Sequence, residues 1–197
     1  MKKEWKLNQR EEIYDGFYKL SRMHFQHTLF KGGWSESIDR ELLERGNVAA
    51  LLPYDPATDT VVLVEQFRVG SAANGNPWLT EVIAGMVEPG ESPDEMVRRE
   101  AREEAGLEVG ELLPVCQYYS SPGSSTEQVF IYASLLDLSQ AGGLYGLEEE
   151  GEDIRVVKVS APEAIELLDS GVICNALSVI AMQWFKLNHA SLSARAL

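Results

Sequence analysis

The sequence predicts an α+β protein in which helices pack on a mixed sheet, with a small antiparallel sheet ahead of it. Three observations support this. Strand-like runs alternate with capped helical segments from Asn47 onward, and the first 45 residues carry a strand pattern of their own. The chain has 197 residues, of which 45% are hydrophobic and 24% charged, enough to bury a core.

The N-terminal segment alternates polar and apolar residues over 23–30, and a Gly-Gly turn follows at 32–33. This pattern predicts a small antiparallel sheet, and we assign residues 1–45 to an N-terminal β subdomain and 46–197 to the main domain. A segment this short buries too little surface to be stable alone. We therefore expect it to pack on the main domain or on a second copy of the chain.

The main domain opens with apolar runs rich in β-branched residues, separated by the turn sequence at 55–59. Similar runs recur later in the chain. The predicted strands are 48–54, 61–69, 78–84, 112–120, 128–136 and 154–159.

A helix is predicted over 92–105 from its end signals. Ser92 is a suitable N-cap, Pro93 suits the first helical position, and Glu95 completes a capping box. Gly106 provides the C-terminal stop. A second helix, capped at Ser160, is predicted to end at Gly171, and a last amphipathic helix to cover 175–188.

The chain is strongly acidic, with a formal net charge of −14 and a pI near 4.6. Most of this charge lies in segments 88–111 and 148–153. Such acidity disfavours electrostatic binding of nucleic acid or an anionic membrane, so neither is an expected partner. A phosphorylated substrate would need a cation between itself and the protein.

Cys116 and Cys174 do not form a disulfide framework, and we expect both to be buried thiols in a reducing compartment. The sequence shows no apolar stretch of signal-peptide or membrane-spanning length. The expected location is the cytoplasm.

Three carboxylates of the predicted helix share one strip, because Glu100, Glu103 and Glu104 are spaced i, i+3 and i+4. Val97 and Ala101 border this strip, so solvent cannot fully relieve the repulsion. A divalent cation would relieve it, and oxygen-only ligands suit Mg²⁺ or Mn²⁺. An acidic helix is more often a solvated face, but this one has a glycine-containing loop before it and a glycine stop after it.

Residues 85–107 resemble the Nudix box, Gly-x5-Glu-x7-Arg-Glu-U-x-Glu-Glu-x-Gly-U, at every fixed position. Ala101 and Leu107 fill the aliphatic positions. The resemblance implies an α/β/α sandwich around a mixed sheet and hydrolysis of a nucleoside diphosphate linked to another moiety. The matching residues are Gly85, Glu91, Arg99, Glu100, Glu103, Glu104 and Gly106.

Other segments resemble the ADP-ribose pyrophosphatases of this family. Pro122 lies 16 residues after Gly106, and its segment resembles the downstream proline loop of that group. Segments 65–68, 77–86 and 146–155 are also similar. The resemblance implies hydrolysis of ADP-ribose to AMP and ribose 5-phosphate, by a domain-swapped homodimer.

The resemblance also implies a metal-binding set. Glu100 and Glu104 are the expected principal Mg²⁺ ligands, the Ala84 carbonyl a loop ligand, and Glu103 a further or water-mediated ligand counted with the catalytic residues. Two or three ions per site are expected, with Mn²⁺ as a possible substitute. Gly85, Glu91, Arg99 and Gly106 are expected to shape the loop and helix.

A general base is still required, because carboxylates that bind a metal are poor proton acceptors. The acidic loop at 148–153 supplies candidates, and Gly151 gives it backbone freedom. By resemblance Glu150 is the expected base and Glu152 a metal- or water-positioning partner, with the order of the two left open.

Five residues are predicted to contact the substrate. Arg68 and Arg40 are candidates for phosphate or ribose, because guanidinium groups match phosphate oxygens. Phe17 is a candidate to stack on adenine, and the resemblance implies that it comes from the partner subunit, with simple packing as the alternative. Glu81 is predicted to bind ribose hydroxyls or metal, and Met86 to line the substrate site.

Two other functions remain open from the sequence. One is a pyrophosphatase for another nucleotide sugar, such as GDP-mannose. The other is a non-catalytic domain that binds ADP-ribose, although such domains tend to lose box glutamates that this chain retains.

Overall fold

The computed structural model describes residues 2–195, apart from the side chain of Glu150. These residues form two compact units. The first combines residues 2–47 with 119–128, and the second combines 48–118 with 129–195. The predicted domain division between residues 45 and 46 stays a prediction.

The first unit contains a three-stranded antiparallel sheet in the order β1-β2-β3. Its strands are β1 (Trp5–Asp15), β2 (Lys19–His27) and β3 (Ile38–Glu44). The predicted N-terminal antiparallel sheet is therefore confirmed. All eleven residues of β1 are exposed.

The second unit is built on a mixed sheet with the strand order β10-β11-β5-β4-β9-β8, to which β6 and β7 are added through β5 and β4. The β4–β9 pair is parallel, whereas β4 pairs with β5 and β7 in the antiparallel sense. The strands are β4 (Val48–Asp55), β5 (Thr60–Phe67), β6 (Trp78–Glu81), β7 (Ile83–Met86), β8 (Leu113–Tyr119), β9 (Gln128–Leu135), β10 (Gly143–Tyr145) and β11 (Ile154–Ser160).

The core of this unit lies on both faces of the sheet. Every residue of β4 is buried, and its side chains alternate, so that Leu52 and Tyr54 join one apolar cluster and Leu51 the other. The first cluster packs on helices α3 (Ala161–Asp169) and α4 (Ala176–Ser193), and the second on α2 (Pro93–Ala105). Helices therefore cover both faces of the sheet, which confirms the predicted sandwich.

Two elements differ from the prediction near the end of β5. Strand β5 ends at Phe67, and a short helix α1 (Val69–Ala72) follows it. The predicted strand 78–84 is divided at Val82, where the chain passes from pairing with β5 to pairing with β4. The Val82 N–H donates to the Ser178 hydroxyl at 3.0 Å, so its hydrogen bond goes to α4.

The ends of α2 follow the predicted chemistry. The Glu95 carboxylate accepts hydrogen bonds from the backbone N–H of Ser92 at 2.9 Å and from its hydroxyl at 2.6 Å. Gly106 has the left-handed φ of 63°, and its N–H donates to the Arg102 carbonyl at 3.0 Å. The last helix is longer than predicted, since α4 continues to Ser193.

The prediction that Cys116 and Cys174 are buried is wrong. Both are exposed, unpaired thiols, Cys116 on β8 and Cys174 just before α4. The local apolar neighbours in the sequence did not reveal which side of each segment faces solvent. Among the described residues, no helix has the length and apolar character needed to cross a membrane.

Candidate active site

The centre of the candidate site is the junction between β7 and α2, where a glycine allows a carboxylate to lie on the backbone. A Cβ atom on Gly85 would overlap the Glu100 carboxylate. Only glycine therefore leaves room for Glu100 in this position. The position of Glu100 therefore explains on steric grounds why a glycine stands at position 85 of the box.

Glu104 is the most buried carboxylate of the strip, with 2% of its surface exposed. One oxygen accepts a hydrogen bond from the Ala84 N–H, and the other accepts one from the Gln66 side chain, each at 3.2 Å. Burial raises the pKa of Glu104 to about 8, and the neighbouring charge of Glu100 adds to this effect. The hydrogen bonds from Ala84 and Gln66 therefore do not offset the free-energy cost of burying the charge of Glu104.

Glu100 has a similar electrostatic environment. Burial raises its pKa to about 7 against the opposing effect of Arg99, and the charges of Glu103 and Glu152 raise it further. The strip on α2 and the acidic loop therefore act on the same carboxylate.

Arg99 links the segment between β7 and α2 to the helix α2 itself. Its guanidinium donates to Glu91 at 3.0 and 3.1 Å, to Glu100 at 2.8 Å, to Glu103 at 3.0 Å and to the Met86 carbonyl at 3.2 Å. The contact with Glu103 joins residues one turn apart on α2. The Arg99 hydrogen bonds hold the pKa of Glu91 below its ordinary value, although partial burial opposes them.

The acidic loop is anchored to the C-terminal part of α2. The Gly146 N–H donates to the Glu103 carbonyl at 3.3 Å, and the Glu152 carboxylate accepts from the Leu147 N–H at 3.1 Å. The backbone of Glu150 ends a 3₁₀ turn, and its side chain lies outside the described part of the structure. The loop therefore places Glu152 beside the carboxylate strip.

A second buried carboxylate lies at the end of β6. Glu81 is 2% exposed and accepts hydrogen bonds from Arg68 Nε at 2.9 Å and from the Asn175 side chain. Arg68 is close enough to Glu104 for its positive charge to offset part of the effect of burial on the pKa of that carboxyl. Arg68, Glu81 and Glu104 thus belong to one region of the second unit.

The remaining predicted contacts, Phe17 and Arg40, belong to the first unit. Phe17 is 82% exposed and makes an edge-to-face contact with Tyr18, at 4.8 Å between ring centroids. Arg40 donates to the Asp39 carbonyl at 2.7 Å. Neither side chain is committed to a core.

The first unit also contains a pocket of about 390 Å³ that the sequence did not predict. Arg45 and Glu127 form an ion pair in its wall, with 2.7 Å between Nε and Oε2. The other lining residues are Leu20, Glu41 and Leu43 together with Ser120, Ser121, Ser124 and Ser125.

The donor set of the second unit suits a hard divalent cation. Its candidate side-chain ligands are carboxylates, and burial disfavours the charged forms of Glu100 and Glu104. Within the described residues, no three acidic, His or Cys side chains already converge on one point. Arg99 instead pairs with both Glu100 and Glu103.

Comparisons with known proteins define the family of this chain. The model of the NUDIX domain matches residues 43–173, and the chain belongs to the Nudix family.

Among curated relatives, it is 46% identical over 184 residues to the ADP-ribose pyrophosphatase of Escherichia coli K12, covering 93% of this chain and 88% of that protein. It is 44% identical to the ADP-ribose pyrophosphatase of Haemophilus influenzae over 92% of this chain and 86% of the relative. It is 35% identical to a GDP-mannose pyrophosphatase of Escherichia coli O1:K1, over 89% of this chain and 91% of that one.

A solved structure of an ADP compounds hydrolase has the same fold, with a TM-score of 0.70, 16% identity and coverage of 95% of both chains.

Two residues of the site, Gln66 and Asn175, had no predicted role. Gln66 continues the buried register of Val62 and Val64 on β5, so a polar residue occupies a position where the pattern requires an apolar one. This departure from the apolar pattern is the sequence feature that could have indicated a role for Gln66. In the sequence, Asn175 has the features of an ordinary N-cap. Its contact with Glu81 could not be predicted locally, because the two residues are 94 positions apart.

Proposed function

We propose that this Nudix hydrolase cleaves the pyrophosphate bond of ADP-ribose to give AMP and ribose 5-phosphate. The observation that carries the proposal is the pair formed by the partly buried Glu100 and the buried Glu104, whose pKa values are raised to about 7 and 8 beside Gly85 of β7. The two ADP-ribose pyrophosphatases at 44–46% identity support the substrate.

The proposed cofactor is Mg²⁺, with Mn²⁺ as a substitute and two or three ions per site. Glu100, Glu104, Glu103 and the Ala84 carbonyl would hold it, since the Ala84 backbone lies at the Glu104 carboxylate. When bound, a divalent cation neutralises the pyrophosphate and polarises the phosphorus under attack.

The other roles fall to the protein's own side chains. Arg99 keeps Glu103 and the Met86 backbone in place through its hydrogen bonds. Arg68, held by Glu81, offers a guanidinium to a phosphate oxygen. Glu150 takes the proton of the attacking water, and Glu152 orients that water from its position beside the strip.

The first unit is proposed to complete the site in a domain-swapped homodimer, with Phe17 stacking on the base and Arg40 binding phosphate or ribose. The exposure of large apolar side chains in this unit supports an interface, because such residues are usually covered. They are Trp5, Leu7, Ile13, Tyr14, Phe17, Phe30, Trp34 and Tyr119. A cytoplasmic location is proposed because both thiols are unpaired.

A GDP-linked sugar is the second candidate substrate, favoured by the GDP-mannose pyrophosphatase at 35% identity. We would measure kcat/KM with Mg²⁺ for both substrates and identify the products. The expected preference for ADP-ribose is at least about tenfold. The reverse preference would support the second candidate, and binding without turnover of either would support a non-catalytic domain.

The Glu104→Gln variant connects activity to the site, because it removes a buried charge that the cation would need. Turnover should fall at least about hundredfold. Glu108→Gln is the matched control, since Glu108 is an exposed residue just after α2 that pairs with Arg102. Its turnover should equal that of the unaltered chain.

A further inference from the structure

The feature that carries the inference is the complete pairing of the buried Glu81 carboxylate. Arg68 Nε donates to Oε2 at 2.9 Å, and the Asn175 side-chain amide donates to Oε1. With 2% of its surface exposed, Glu81 has little access to water. A carboxylate in such a place needs a donor on each oxygen, so the Asn175 amide is part of what keeps it oriented.

Asn175 is itself fixed from the other end of its amide. Its Oδ1 accepts a hydrogen bond from the Ser178 N–H at 2.9 Å, which makes it the N-cap of α4. Ser178 is fully buried, and its hydroxyl accepts from the Val82 N–H at 3.0 Å. The first turn of α4 is therefore attached to two consecutive residues, Glu81 and Val82.

Arg68 is anchored along only part of its length. Its N–H donates to the Pro77 carbonyl at 2.7 Å, and its carbonyl accepts from the Ser71 hydroxyl at 2.9 Å. The side chain is 41% exposed, against 3% for that of Glu81. The contact of Nε with Glu81 thus sets the direction in which the exposed part of the guanidinium extends.

We infer that Asn175 is a positioning residue, which orients Arg68 toward the substrate's phosphates by fixing the Glu81 carboxylate. The inference rests on the proposed function, in which Arg68 contacts those phosphates. Without the amide donor, Glu81 is free to leave Nε and to pair end-on with the two terminal nitrogens of Arg68. That arrangement would occupy the guanidinium nitrogens that a phosphate needs.

The N-cap role can be separated from the positioning role by choice of variant. Asn175→Asp and Asn175→Ser both keep a good capping oxygen. Asn175→Asp places a second carboxylate against Glu81, and Asn175→Ser removes the amide donor and leaves a shorter side chain. Ser178→Ala is the control, because it weakens the attachment of α4 at Val82 without removing a donor to Glu81.

The kinetic test compares these three variants with the unaltered chain. Both Asn175 variants should raise KM for ADP-ribose about tenfold, the size of one lost hydrogen bond to a charged group, with a smaller change in kcat. Ser178→Ala should lower the urea midpoint and leave KM within about twofold. Asn175 variants with unchanged KM would overturn the inference.

A double-mutant cycle tests whether the effect passes through Arg68. In the Arg68→Ala background, Asn175→Ser should change KM by no more than about twofold, because the group it positions is gone. Independent, multiplicative effects on KM would overturn the inference.

A readout without substrate separates this inference from the proposed function. Solvent exchange of the Arg68 Nε–H, followed by NMR, should be slow in the unaltered chain and in Ser178→Ala. It should be faster in both Asn175 variants. Faster exchange in the Asn175 variants of a chain that hydrolyses no nucleotide sugar would reject the proposed function alone. Hydrolysis by the unaltered chain, with exchange unchanged in the Asn175 variants, would reject the positioning role alone.

Discussion

The side-chain amide of Gln66 donates a hydrogen bond of 3.2 Å to Glu104, joining β5 to α2 beneath the carboxylate strip. Both residues are buried, Gln66 at 5% and Glu104 at 2% exposure. A polar residue on the apolar face of a strand costs free energy unless it has a partner. The Gln66 hydrogen bond favours the ionised form of Glu104, the form that the proposed cation site requires, against the burial that raises its pKa.

Gln66→Leu should therefore weaken cation binding. Leucine has a similar volume and no donor, so Glu104 loses a hydrogen bond that stabilises its charged form and a proton competes better with the cation. We expect the Mg²⁺ concentration for half-maximal rate to rise about tenfold, which a metal titration of the initial rate measures. Gln140→Leu, an exposed replacement of the same type, should leave the titration unchanged.

The close approach of Gly85 and Glu100 gives a second prediction. Gly85→Ala introduces a methyl group where the Glu100 carboxylate lies, so that carboxylate must leave its position. Activity should fall at least about hundredfold while the urea midpoint changes much less. Gly110→Ala is the matched control, because a Cβ there meets open space. Retention of activity in Gly85→Ala would show that this position of Glu100 is not required.

Much of α2 could be predicted from the sequence because its signals are local. Ser92, Glu95 and Gly106 act on backbone groups within one turn, and the spacing of Glu100 and Glu104 fixes their common face. The mixed sheet with helices packed on it followed from the same kind of evidence, whereas the sandwich arrangement was implied by the resemblance to the Nudix box. Strand and helix periods are properties of short segments.

What the sequence could not reveal depends on long-range pairing. The break at Val82 exists because its N–H bonds to Ser178, 96 residues later. The second oxygen of Glu81 is taken by Asn175, 94 residues away. No periodicity encodes which polar groups meet across a sheet and a helix, so these contacts emerged only with the fold.

Asp55 gives a prediction about stability that is independent of the metal site. It is 2% exposed and accepts hydrogen bonds from the Ala57 N–H at 2.8 Å, the Thr58 hydroxyl at 2.8 Å and the Leu138 N–H at 3.3 Å. Burial alone would raise the pKa of Asp55, but these hydrogen bonds outweigh it and hold the pKa below its ordinary value. The ionised form is thus favoured by folding.

Because the folded-state pKa lies below the unfolded one, this stabilisation is present above the unfolded pKa and is lost as the pH falls through the folded value. Asp55→Asn should lower the free energy of unfolding at pH 7 by about 2 kcal/mol. The difference should shrink steadily below the ordinary pKa of aspartate. Urea unfolding across this range measures it, with the exposed Asp137→Asn as control; a gap that does not depend on pH would contradict the assignment.

The acidic loop gives the last prediction, which separates its two candidate residues. Glu150→Gln should lower kcat about hundredfold and leave KM for ADP-ribose within about twofold, since a general base acts on the water and not on substrate binding. Glu152→Gln should instead change the metal titration, because its charge raises the pKa of Glu100 and its carboxylate holds the Leu147 N–H. Glu149→Gln, an exposed neighbour in the same turn, is the control for the loop. The opposite result would be an unaltered kcat in Glu150→Gln together with a hundredfold loss of kcat in Glu152→Gln. It would exchange the two roles and identify Glu152, which lies beside the carboxylate strip, as the general base.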